Sequence, residues 1–146
     1  MKQMSEVLVH WLDLKLPNWF ALATACIQGL LGVGALGFLG LLFAPARLVL
    51  WLVPISAFAG ANSGYKLWQK RAADSPTVWI LSLAAGLVTG LAAAGLQFYV
   101  DARFFHTAPP LAALAAYICA AAAGSALGGW LRKRYERIKG GRDKGL

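Results

Sequence analysis

The amino-acid sequence predicts an all-α integral membrane protein, with four transmembrane helices in two hairpins behind a short N-terminal amphipathic helix. Three observations carry this. The 146 residues are 59% hydrophobic and only 14% charged, against about a quarter charged in soluble domains. Four stretches exceed the roughly 20 apolar residues that a helix needs to cross a hydrocarbon core. Lysine, arginine and tryptophan gather at one end of each stretch.

Taken in chain order, residues 1–17 come first. Within "MSEVLVHWLDLKL" (4–16), Met4, Val7, Leu8, Trp11 and Leu12 fall near one helical face, with Ser5, Glu6, His10 and Asp13 more polar. Too short to span, this segment is expected to lie along the membrane surface. A cleaved signal peptide is not expected, because the start is weakly basic, carries Glu6 and Asp13, and precedes too long an apolar run.

The predicted spans are 18–43, 48–68, 77–100 and 111–131, making 18–131 one transmembrane domain. None holds Asp, Glu or Arg in its central part, and Lys66 lies at an edge. Lipid offers no hydrogen bonds to the backbone, so these segments are read as α-helices. A soluble bundle would leave one polar face per helix, and these leave none. "FAPARL" (43–48) makes a tight first hairpin, because Pro45 cannot continue one helix but suits the start of the next. Ser75–Pro76 opens the third span, and Pro109 and Pro110 open the fourth after "DARFFHTAPP".

Orientation follows from charge. Lys2 and Lys15 precede the first span, Lys66, Lys70 and Arg71 close the second, and seven basic residues occupy the tail over 132–146. The opposite loops hold only Arg47 and Arg103. The positive-inside rule therefore puts both termini in the cytoplasm of a multi-pass membrane protein, in a setting that suits a bacterial inner membrane. Trp19, Trp68, Trp79 and Trp130 sit at the same end and read as an interfacial belt.

The net charge of +8 at first suggests nucleic acid. A basic run just beyond a membrane helix is first a topological signal and a contact for anionic lipid headgroups, made here by Arg132, Lys133, Arg134 and Arg137. A docked cytoplasmic partner is the alternative, and no nucleic acid is expected.

Small residues let helices approach where the hydrophobic effect between them is weak. The second span carries Ser56, Gly60 and Gly64, the third Gly86, Gly90 and Ala94, and the fourth Ala112, Ala116, Ala120, Gly124 and Gly128. The first span is different: Gly29, Gly32, Gly34, Gly37 and Gly40 do not keep to one row. They suggest close neighbours on several sides, or a bendable, pore-lining helix. "AGANSGYKLWQKR" (59–71) echoes "AGSALGGWLRKR" (123–134), aligning Gly60 with Gly124 and Gly64 with Gly128; "PAR" and "DAR" in the preceding loops add to this. A duplicated hairpin would explain the echo, and so would the ordinary chemistry of membrane exit.

Residues for chemistry are few. Gln28 and Asn62 are intramembrane polar groups positioned to hydrogen-bond across the first hairpin. Ser63, Ser82, Thr89, Gln97 and Ser125 are the other uncharged polar residues at depth. Cys26 and Cys119 fall in apolar stretches and read as packing residues. His10 and His106 fall on opposite sides, so no metal site or cofactor is expected. No buried carboxylate is expected either, since Asp101 and Arg103 read as a solvated outer pair. No phosphate-binding loop, nucleophile elbow or carboxylate pair is visible.

The sequence thus points to a non-catalytic membrane subunit or assembly partner, a homo-oligomer or part of a larger complex, packing through small-residue faces. The alternative is a homo-oligomeric channel, holin-like pore or small transporter. An interfacial lipid enzyme is a third class with no catalytic motif behind it.

Overall fold

A computed structural model describes residues 18–43, 48–70 and 76–143, and among them every regular element is helical. The elements are α1 (Asn18–Phe43), α2 (Leu48–Lys70), α3 (Pro76–Val100), a π-helical turn (Asp101–Phe105) and α4 (Leu111–Asp143). The predicted surface helix, with His10, lies outside the described residues, as do both short loops beside α2.

Three segments are long and apolar enough to cross a membrane: Trp19–Phe43, Pro76–Phe105 and Leu111–Lys139. The sequence reading expects four; α2, which packs against all three other helices and carries Ser56, Asn62, Ser63 and Lys66, is not among these three described segments. Pro54, which the sequence reading passed over, sits inside α2 on its exposed side; there it removes a donor from the helical ladder.

The four helices do not form a square. α4 lies against α2 and α3, while α1 lies against the same two helices from the other side. The α2–α3 contact is thus the short diagonal, with α1 and α4 at far corners. One apolar cluster near the basic chain ends joins Ala21, Ala25, Leu67, Trp68, Val78 and Ala85. A second, nearer the opposite end, joins Val33, Leu52, Ala59, Ala93, Ala94, Val100 and Tyr117. Outside these, large apolar side chains face outward, among them Leu31, Phe38, Leu42, Trp51, Phe58, Ile80, Leu91 and Leu127. That distribution suits a chain solvated by lipid.

Two boundaries differ from the sequence reading. The stretch read as a loop after Val100 continues as a π turn, ended by His106 in the left-handed region at φ 53°, whose N–H bonds the Asp101 carbonyl. Histidine tolerates that region better than a branched residue would. α4 does not stop at Leu131 but runs on through the basic residues to Asp143. Arg132 pairs there with Glu136 one turn later, at 2.8 Å, so the start of the tail is helix continuing from the apolar segment.

Candidate functional site

α2 and α4 approach backbone to backbone, and the contact is reciprocal. A methyl group built on Gly60 would collide with the backbone of Ala121, and one on Gly124 with the backbone of Ala57. In the same way Gly64 faces the backbone of Ser125, and Gly128 that of Ala61. Each helix offers glycine where the other offers a carbonyl, so the two backbones touch with no side chain between them. The echoing residues therefore meet each other about a local two-fold relation.

α3 closes on the same turn of α4. A Cβ on Gly86 would stand 2.8 Å from both the Ala121 carbonyl oxygen and the Ala122 Cα, and one on Gly90 would stand 2.5 Å from the Ile118 Cα. Next to these glycines sits a polar clasp. The Ser125 hydroxyl donates to the Ser82 carbonyl at 2.6 Å, while the Ser82 hydroxyl lies 3.0 Å from the Ser125 hydroxyl and 3.1 Å from its carbonyl. Both serines are fully buried. Ser56, Ser63 and Thr89 instead bond back to carbonyls of their own helices, at Leu52, Gly60 and Ala85. Their hydroxyls are thereby satisfied without a partner helix.

The α1 glycines meet two neighbours. Gly29 faces Thr89 and Gly37 faces the end of the Leu96 side chain, both on α3, while Gly32 faces Ala59 on α2. Gly34 and Gly95 face nothing. All nine glycines singled out for packing thus lie against another helix of the same chain. The row from Ala112 is a partial miss: Ala112 is exposed, whereas Tyr117, Ala121, Gly124, Ser125 and Gly128 are buried. A four-residue step advances about 40° round a helix of 3.6 residues per turn, so a long row drifts out of a straight interface.

Other expectations need correction. Gln28 and Asn62 are each half-buried, and among the described residues no hydrogen bond joins them. Trp68 belongs to the core at 2% exposure, edge-on to Trp79 with centroids 5.0 Å apart; Trp19 and Trp130 are exposed. Trp68 is large enough to fill the gap over Gly129, whose absent side chain it replaces. Cys26 does pack, half-buried, against the cluster of Ala21, Ala25 and Leu67, while Cys119 is exposed; both are unpaired.

Asp101 is the largest correction. It is 9% exposed and accepts a hydrogen bond from Gln97 Nε2 at 2.7 Å. A buried carboxylate does exist, at the end away from the basic residues. Gln97 and Asp101 are four apart, a spacing that shares one helix face, and this is the signal that was available.

At the basic end, Arg132 turns inward. Besides Glu136 it donates to the Tyr65 hydroxyl at 3.1 Å and stands 5.4 Å from that ring's centre, tying α4 to α2. Lys133, Arg134 and Arg137 instead line a groove with Trp79, Trp130 and Ile138, of about 380 Å³. The Arg134 guanidinium stacks 5.4 Å over Trp130, a favourable cation–π distance. A larger apolar groove of about 610 Å³ lies between α1 and α2 at the opposite end, lined by Leu36, Leu39, Gly40, Phe43, Trp51 and Ile55.

Among the described residues no group of three or more His, Cys, Asp or Glu side chains could hold a metal ion. In comparisons with known proteins the chain matches no family model, no curated protein and no solved structure.

Proposed function

We propose that this chain is a non-catalytic, four-span subunit of a larger membrane complex. The observation that carries the reading is the backbone contact between α2 and α4. The small-residue faces lock this chain's own helices together, and the bundle centre is filled by Tyr117, Leu52, Leu67 and the serines. The two grooves lie at opposite ends of the bundle.

α2 is counted as the fourth span because its 23 residues rise about 34 Å at 1.5 Å each, against a hydrocarbon core of about 30 Å. The basic end faces the cytoplasm of an inner-type membrane, with Lys133, Arg134 and Arg137 taking anionic headgroups. The outward face of α1 and its apolar groove are then the side left for a partner subunit or a lipid chain.

Reconstitution tests this against a pore or transporter. Liposomes containing only the purified chain stay tight to small solutes and ions on this account. Protein-dependent leakage at one bundle or a few per vesicle would overturn it.

A further inference from the structure

We propose that Asp101, Gln97 and Tyr117 form a binding site for a sodium ion at the end of the bundle away from the basic residues. The cluster is assembled from two elements. Gln97 and Asp101 share a face where α3 passes into the π turn, and Tyr117 of α4 is buried in the cluster that also holds Ala94 and Val100, the residue just before Asp101.

Three oxygen-bearing groups there lack what burial demands. The Asp101 carboxylate has one side-chain hydrogen bond, from Gln97 Nε2, and forms no ion pair among the described residues. Gln97 Oε1 and Tyr117 Oη are buried without any hydrogen-bond partner, in residues 2% and 0% exposed. Buried polar atoms are seldom left this way, and a buried charge without a counter-charge is costlier still. The nearby Arg103 is exposed, so it does not supply that charge.

A small cation answers all three groups together, whereas a water molecule would satisfy the two neutral oxygens and leave the charge. The donors are a carboxylate, an amide carbonyl and a phenol, all hard oxygen ligands that disfavour thiophilic or imidazole-seeking metals. A lone carboxylate balances a single positive charge, while calcium takes six to eight oxygens, commonly from several carboxylates. Exposed residues 102–108 adjoin the site and give it an aqueous approach.

The test uses the purified full-length chain in nanodiscs, titrated with sodium chloride against choline chloride at constant ionic strength. The thermal midpoint is expected to rise by about 5 °C between 1 and 100 mM sodium, as preferential binding to the folded state requires. Asp101→Asn abolishes that rise. Tyr117→Phe, which keeps the ring that fills the core, weakens the apparent sodium affinity about fivefold and covers the case in which Asp101→Asn fails to fold. A wild-type midpoint indifferent to sodium, or the same sodium response in both variants, overturns the site. If wild type is indifferent and Asp101→Asn alone raises the midpoint, the carboxylate is an uncompensated charge with no bound cation, and the sodium proposal is equally lost.

Discussion

Gly64 on α2 rests against the backbone of Ser125 on α4, so closely that one methyl group at residue 64 would overlap the Ser125 carbonyl. Ser125 is at the same time held by Ser82 from α3. One turn of α4 is therefore gripped from two sides, and the two hairpins are joined at that turn.

The grip makes glycine at residue 64 obligatory for packing rather than for backbone freedom. Alanine favours a helix by about 1 kcal/mol over glycine, yet here it strikes backbone, which cannot move aside as a side chain can. Gly64→Ala is expected to cost about 1–2 kcal/mol net, and Gly64→Leu to part the hairpins. Gly95, with nothing within 4 Å, is the control: Gly95→Ala should be neutral or stabilising by up to about 1 kcal/mol. Unfolding in mixed micelles reads both, and equal losses at the two positions would contradict the packing.

The serine clasp is expected to act as a unit. Ser82→Ala and Ser125→Ala each remove part of the same exchange, so a double-mutant cycle should give a coupling of about 0.6–1.7 kcal/mol, the range for hydrogen bonds between membrane helices. Additive losses would mean that the hydroxyls contribute only their size.

The Trp130 groove is expected to distinguish lipids by charge. Arg134 and Arg137 both line it, and a basic residue near an anionic surface contributes about 1 kcal/mol. Quenching of tryptophan by brominated anionic lipid should exceed quenching by brominated zwitterionic lipid. Neutralising Arg134 and Arg137 to Gln should remove most of that preference, as should molar salt, which screens it within a few ångströms. Quenching that ignores both changes would rule the groove out as a headgroup site.

Much of this molecule is legible in the sequence, and what is not has physical reasons. Long uncharged stretches report helices directly, and the described helices begin at Asn18, Leu48, Pro76 and Leu111. Glycines at Gly60, Gly64, Gly124 and Gly128 report a close approach, because a small residue is required only where something comes near. Which helix comes near is a matter of tertiary arrangement, and composition is silent on whether the neighbour belongs to the same chain. Trp68 was misread because tryptophan serves both interface and core, and only the gap over Gly129 decides between them. Asp101 differs from expectation because the helix is expected to end at Val100, whereas one further π turn keeps the carboxylate buried against Gln97.

On the proposed reading this bundle is closed on itself and serves as one part of a larger assembly. The direct measurement is the native mass and polypeptide composition of the complex, extracted gently from its own membrane. The account predicts a defined complex holding this chain and at least one other integral membrane polypeptide in fixed ratio. A homo-oligomer of this chain alone, sealed to no partner and stable through dilution, would contradict it.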